Sequence, residues 1–170
     1  MATWQGLLLS LSVGLIAGCA DPLTAPPCTA IPFVQASVSG DTITTTTGLR
    51  YIEGAPGTGG ALPWCRSVAV HYTGYLLDGT KFDSSRDIGR PLVFTPGLGA
   101  AIDGFEQGVI GMHTCGTRRL IIPPELAYGA DPRRNEAGDI IIPANSTVVF
   151  DVQVLEIPGE PFTPCDEPNA

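Results

Sequence analysis

The run VHYTGYLLDGTKFDSSRD, at residues 70–87, constrains the fold of this chain more than any other stretch. Apolar and polar side chains alternate through its first half, which predicts a strand that carries Tyr72. Asp78 and Gly79 then supply a tight turn, because glycine reaches positive φ values without steric cost. The turn brings Phe82 and Asp83 back alongside the strand. We therefore expect an aromatic ring, a phenol and a carboxylate to meet in a small apolar pocket.

The rest of the chain predicts an α+β domain. Strand-like segments occur near residues 49–53, 68–77, 80–83, 92–95, 118–122 and 147–157, and residues 54–60 are predicted as a loop. The last strand is predicted to be half-buried, with Asp151 and Gln153 opposite its apolar face. Apolar residues between 98 and 109 form one helical stripe that leaves Asp103 and Glu106 facing outward. A curved antiparallel sheet buries its apolar face by wrapping such a helix.

The two ends of the chain are predicted to lie outside this domain. Residues 1–18 are typical of a signal peptide, and the sequence LIAGC ending at Cys19 resembles the bacterial lipobox, whose cysteine is lipidated. An ordinary secretory signal is the alternative, and the first six residues lack the usual Lys or Arg. Residues 19–47 are rich in Pro, Ser and Thr and predict a tether, residues 48–157 are the domain, and residues 158–170 are a tail.

Charge and cysteine content limit the partners and the compartment. The net charge of -8 argues against binding nucleic acid, which requires clustered Lys and Arg. The basic doublets at 118–119 and 133–134 are expected to be solvated. Both readings of the N-terminus imply export, where an even set of cysteines predicts two disulfides with three possible pairings. The candidate cysteines are Cys28, Cys65, Cys115 and Cys165.

Two other kinds of chemistry are poorly supported. Ser84 and Ser85 have no evident base and no GxSxG motif, so a covalent hydrolase is not predicted. His71 is expected to have a structural role on the strand face opposite Tyr72. Together with His113 it offers too few ligands for a metal site, and no cofactor is predicted.

Four motifs in order, HYTGYLLDGTKFDSSRD, GFEQGVIGM, RRLIIPPELAYG and IIPANSTVVFDVQVLEI, resemble those of the FKBP-type peptidyl-prolyl cis-trans isomerases. The resemblance covers residues 48–157 and implies a five-stranded antiparallel half-barrel around a short helix. It implies isomerisation of X-Pro bonds as the activity, with an FKBP-fold chaperone or binding module that has little isomerase activity as the alternative. Proline-containing, unfolded or partly folded exported proteins would be the partners, and macrolides would be inhibitors.

The resemblance also assigns roles to individual residues. Tyr72, Asp83 and Tyr128 would be catalytic, with Arg86 a candidate partner for Asp83. The substrate-binding residues would be Phe82, Leu92, Ala101, Ile102, Phe105, Ile142 and Phe150, and Ile102 would also offer its backbone N–H.

The chain departs from the family pattern at several positions. Phe105 stands where most members carry tryptophan, and Ile88 and Leu92 replace the common arginine and phenylalanine. Residues 131–139 are longer than the compact family loop, which borders the pocket and affects which substrates fit. The complete chain is expected to be a monomeric lipoprotein, anchored to a bacterial membrane and facing the periplasm, with the outer membrane preferred.

Overall fold

The computed structural model describes residues 40–155, except residues 63 and 65. The predicted signal peptide, most of the tether, the tail, and Cys19, Cys28, Cys65 and Cys165 therefore lie outside the described residues. The strands are β1 (Ile43–Thr44), β2 (Arg50–Glu53), β3 (Thr58–Ala61), β4 (Val68–Leu76), β5 (Lys81–Ser84), β6 (Leu92–Phe94), β7 (His113–Thr114), β8 (Thr117–Ile122), β9 (Arg133–Arg134), β10 (Ile140–Ile142) and β11 (Val148–Leu155). The helix α1 spans Asp103–Val109, and a 3₁₀ turn spans Pro124–Leu126.

The main sheet is antiparallel and open. Its strand order is β1-β2-β8-β11-β4-β5, and β6 also pairs with β4. Because β11 lies along one edge of β4, the strands β5 and β6 share the other edge, at opposite ends of β4. The sheet therefore has five rows of strand plus the short β1, which agrees with the predicted five-stranded antiparallel sheet around one short helix.

The core lies between α1 and one face of the sheet. Val148, Phe150, Val152 and Val154 of β11 are all buried, as the alternation predicted. The prediction of a half-buried strand was wrong, because Asp151 and Gln153 on the opposite face are also buried. Arg119 donates to both carboxylate oxygens of Asp151, at 2.6 and 2.8 Å. These hydrogen bonds reduce the free-energy cost of burying the polar face of β11.

The helix is shorter than predicted and packs close to the sheet. It begins at Asp103, and the preceding residues form turns rather than helix. Gly104 and Gly108 face β8, where an added Cβ would lie 2.3 Å from Ile122 Cγ2 or 2.5 Å from Leu120 Cδ1. Glycine at these positions therefore sets how closely the helix approaches the sheet.

Two charged residues predicted to face solvent are buried in the structure. Glu106 is 5% exposed because the turns before α1 fold over it. Arg118 is 7% exposed, donates to Glu53 at 2.6 Å, and donates to the carbonyl oxygens of Gly108 and Ile110. The Arg118 guanidinium therefore satisfies backbone acceptors at the C-terminal end of α1, where positive charge is favourable.

Several short elements were not predicted. The strand β1 lies in the segment assigned to the tether and pairs with β2. The strand β3 lies partly in the predicted loop at residues 54–60 and pairs with β7. The hairpin of β9 and β10 was also missed. Cys115, directly after β7, is buried with a φ of 66°. Its pairing stays a prediction, since the other candidate cysteines lie outside the described residues.

We expect Gly104→Ala to lower the free energy of unfolding by about 2 kcal/mol, because its Cβ would overlap the branched, fully buried Ile122 side chain. This loss should exceed the gain of about 1 kcal/mol in helix propensity. Urea unfolding followed by circular dichroism measures it. Gln107→Ala on the same helix is the control, with an expected change below about 0.5 kcal/mol. A Gly104→Ala protein as stable as the original would contradict the close-approach argument.

Candidate functional site

A cavity of about 370 Å³ opens between α1 and the face of the sheet that packs against it. Its walls come from β4, β5, β6, β11, the turns before α1, the segment after the 3₁₀ turn, and β9. The lining residues are Tyr72, Asp83, Leu92, Ala100, Ala101, Ile102, Phe105, Tyr128, Arg133 and Phe150. Apolar side chains therefore predominate, with a few polar groups at fixed positions, as in sites for compact ligands.

Four aromatic rings form the floor of the cavity and its support. Phe105 and Phe150 stand edge to face, with ring centroids 5.2 Å apart, and Tyr72 packs edge to face on both at 5.7 and 5.8 Å. Phe82 packs edge to face on Phe150, with ring centroids 5.6 Å apart. Gly74 permits this, because a Cβ there would lie 2.7 Å from Phe82 and 2.8 Å from Phe150. The interlocked rings hold the floor in one arrangement.

Asp83 and two phenols supply the polar groups. Tyr72 donates its hydroxyl hydrogen to Asp83 Oδ2 at 2.7 Å. Burial, with the hydrogen bond and the negative charge of Asp83, raises the pKa of Tyr72 well above its usual value. Burial also raises the pKa of Tyr128; the Arg133 charge opposes this shift and the Asp83 charge adds to it. Both phenols therefore keep their hydrogens at neutral pH and can donate hydrogen bonds.

The buried carboxylate of Glu106 shapes one wall of the cavity. It accepts hydrogen bonds from the backbone N–H groups of Gly97 at 2.8 Å, Gly99 at 3.4 Å and Ala101 at 2.9 Å. The backbone around these residues turns sharply, with φ values of 95° at Gly97 and 69° at Gly99. The carboxylate thus positions Ala101 and Ile102 against the cavity, and the Ile102 N–H has no acceptor within the described part of the chain.

The structure brings together eight of the ten site residues predicted from sequence. Phe82 and Ile142 do not line the cavity: Phe82 packs on the ring of Phe150, and Ile142 is only 2% exposed in the core. Ala100 and Arg133 were missed. The signal for Arg133 was the length of the 131–139 segment, whose side chains could not be placed without knowing that it forms a hairpin.

The polar residues on the other face of β4 form a separate network. Arg86 donates to Gln153 Oε1 at 2.6 Å, and Tyr72 donates to Asp83. His71 Nδ1 lies 3.1 Å from Ser85 Oγ, and burial followed by the charge of Arg86 lowers the pKa of His71. The structural role predicted for His71 agrees with this contact.

Neither a metal site nor a membrane helix is found within residues 40–155. The described residues contain no group of three or more His, Cys, Asp or Glu side chains suited to holding a metal ion. No described helix has the length and hydropathy needed to span a bilayer.

Known proteins resemble this chain across the segment that builds the cavity. A family model described as FKBP-type peptidyl-prolyl cis-trans isomerase matches residues 65–155. The peptidyl-prolyl cis-trans isomerase Fkbp12 of Drosophila melanogaster is 44% identical over 111 residues, covering 65% of this chain and 98% of the relative. The FK506-binding protein of Neisseria meningitidis serogroup C is 46% identical over 92 residues, covering 54% and 80%. The crystal structure of AtFKBP13 matches with a TM-score of 0.64 at 34% identity, covering 68% of this chain and 98% of that one. The match to the structure of AtFKBP13 confirms the predicted fold class.

We expect Glu106→Gln to loosen the turn before α1. The amide keeps one acceptor oxygen but points an N–H donor at another backbone N–H, so part of the hydrogen bonding is lost. Hydrogen exchange by NMR should show protection of the Gly97 and Ala101 amides falling about tenfold, the equivalent of about 1.4 kcal/mol. Glu125→Gln, exposed in the 3₁₀ turn, should leave both amides unchanged. Equal protection in Glu106→Gln and the original protein would rule out this role for the carboxylate.

Proposed function

This chain belongs to the FKBP-type peptidyl-prolyl cis-trans isomerase family, and we propose that its cavity accelerates rotation about X-Pro bonds in exported proteins without forming a covalent intermediate. The observation that carries the proposal is the cavity itself. Its walls are aromatic and aliphatic, its polar groups are hydrogen-bond donors and one carboxylate, and no nucleophile paired with a base lies among its lining residues.

The barrier to X-Pro rotation can be lowered by environment alone. The barrier is about 18–20 kcal/mol because twisting the amide breaks its resonance. The planar amide is the more charge-separated form, so transfer into an apolar cavity costs the planar form more than the twisted one. A donor placed for the rotated carbonyl adds stabilisation that the ground state does not receive. This chemistry requires no cofactor.

Each polar group has a distinct role in this proposal. The proline ring occupies the floor formed by Phe105 and Phe150, where its apolar surface leaves water. Tyr128 donates a hydrogen bond to a substrate carbonyl, and the Ile102 N–H, which has no acceptor among the described residues, offers a second donor. Asp83 faces the twisting amide and is held in place by the Tyr72 hydroxyl. Preorganisation of these groups avoids the cost of rearranging solvent during rotation.

The same cavity is proposed to bind macrolide inhibitors. The relative from Neisseria meningitidis is named as an FK506-binding protein, and the apolar floor here offers a comparable surface for such a ligand. Phe105 is smaller than tryptophan, so the floor is deeper and the contact with a bulky ligand is reduced.

Tyr128→Phe and Asp83→Ala should each lower kcat/KM for a proline peptide about tenfold in a protease-coupled assay, equivalent to about 1.4 kcal/mol of transition-state stabilisation. Tyr75→Phe, a phenol on the other face of β4, is the control and should keep full activity. If the original domain gives no acceleration yet suppresses aggregation of an unfolded client, the chaperone alternative replaces the isomerase proposal.

We also propose that the chain is an exported monomer anchored through lipidated Cys19, with the catalytic domain facing the periplasm from the outer membrane. The LIAGC sequence supports the anchor, and the Pro-rich segment after it supports a tether between membrane and domain. Two disulfides among Cys28, Cys65, Cys115 and Cys165 are part of the same proposal, because export exposes the domain to an oxidising compartment.

Cys19→Ala should move the full-length chain, expressed in a bacterium, from the detergent phase to the aqueous phase in Triton X-114 partition. Loss of the acyl chains removes the apolar surface that holds the protein in the membrane. Cys28→Ala is the matched control and should stay in the detergent phase. Aqueous partition of the original protein, with intact-mass spectrometry showing cleavage and no acyl chains, would establish the ordinary secretory signal instead.

A further inference from the structure

The hairpin of β9 and β10 presents a cation to the cavity. In its register Arg133 pairs with Ile142 and Arg134 with Ile140, with a bulge between the two pairs. The Arg133 guanidinium lies 4.9 Å from the centre of the Tyr128 ring and forms part of the cavity lining. The neighbouring Arg134 instead donates to the carbonyl oxygen of Gly138 at 2.7 Å. The two adjacent arginines therefore have different surroundings.

The hairpin that carries Arg133 is internally braced. The side-chain oxygen of Asn135 accepts a hydrogen bond from the backbone N–H of Asp139 at 2.8 Å. The backbone N–H of Asn135 donates to the carbonyl oxygen of Asp139 at 2.9 Å. Gly138 provides the turn with a φ of 90°. The side chain of Arg133 thus extends from a defined backbone, and stacking on Tyr128 restricts it further.

The charge on Arg133 is not neutralised by a neighbouring carboxylate. Among the described residues no ion pair or side-chain hydrogen bond joins its guanidinium to an acidic group. Asp83 is the other charged residue of the cavity lining, and it accepts the Tyr72 hydroxyl. Arg133 is therefore the cation of the cavity lining, opposite in charge to Asp83, on a chain whose net charge is -8.

We propose that Arg133 determines specificity for X-Pro substrates with a carboxylate side chain at the residue before proline. The proposal rests on the isomerase function proposed above. Tyr128 donates to a carbonyl of the substrate, and the guanidinium stacked on Tyr128 lies beside the residue that carries this carbonyl. An arginine fork matches a carboxylate with two parallel N–H groups. Since Arg133 is exposed, its contribution is that of a partly solvated ion pair and is sensitive to salt.

The test uses four N-acetylated peptides of sequence Ala-X-Pro-Phe with a C-terminal p-nitroanilide, in which X is Glu, Gln, Leu or Lys. Acetylation removes the charge of the N-terminal amine, so the side chain of X carries the only charge in the Glu and Lys peptides. Isomerisation is followed with a protease in excess, so that every peptide is cleaved faster than it isomerises. We expect kcat/KM for Glu to exceed that for Gln about fivefold at low salt, and the ratio to approach one in 0.5 M NaCl.

Two variants separate recognition from structural support of Tyr128. Arg133→Gln should reduce the Glu/Gln ratio to about one, because kcat/KM falls more for the Glu peptide than for the Gln peptide. Arg134→Gln, on the same hairpin, should keep the fivefold ratio. Arg133→Glu should reverse the preference, so that Lys exceeds Gln. A merely structural role for Arg133 would lower the rates of all four peptides together.

The outcomes also separate this inference from the function on which it rests. Acceleration of the Gln and Leu peptides with a Glu/Gln ratio near one in the original protein would overturn the role of Arg133 and leave the isomerase proposal intact. A fivefold ratio that persists in Arg133→Gln would overturn it as well. If none of the peptides is accelerated, the isomerase proposal fails first, and the role of Arg133 fails with it.

Discussion

The close approach of one short helix to the sheet is the constraint on which the rest of the structure depends. The helix has only seven residues, so it cannot be stable alone and depends on packing against β8 and β11. Gly104 and Gly108 remove the side chains that would hold it away from Ile122 and Leu120. Phe105, between the two glycines, consequently reaches the rings of Phe150 and Tyr72. The floor of the cavity is thus a consequence of how near the helix lies.

Buried charges hold the backbone at both ends of the helix in place. Glu106 accepts three backbone N–H groups from the turns before α1, and Arg118 donates to two carbonyls at its far end. Each charge would be costly to bury alone, but each is surrounded by groups of opposite polarity. Glu53 completes the arrangement by pairing with Arg118. The helix is therefore fixed in position along its axis as well as in its distance from the sheet.

Sequence was sufficient where a feature depended on local pattern. Tyr72 and Asp83 are eleven residues apart on two strands joined by one tight turn, so their meeting followed from alternation and the Asp78-Gly79 turn. The burial of Glu106 could not be predicted from local pattern. Glu106 lies on the polar face of the helix, and only the tertiary fold shows that turns cover this face. The prediction that Arg118 is solvated was wrong for the same reason. Periodicity tells which face of an element is apolar, but not whether other segments cover the polar face.

Arg133 shows a further limit and indicates how the site divides its tasks. Its position depends on the bulged register of β9 and β10, which the sequence from 131 to 139 does not specify. Cations are costly inside an apolar cavity, where, in the proposed mechanism, they would also disturb the medium that favours the twisted amide. At the rim, stacked on Tyr128 and open to water, the guanidinium keeps its hydration and still meets an incoming substrate. In the proposed function, the interior sets the rate of rotation, and a hairpin outside the main sheet sets substrate preference without altering the floor.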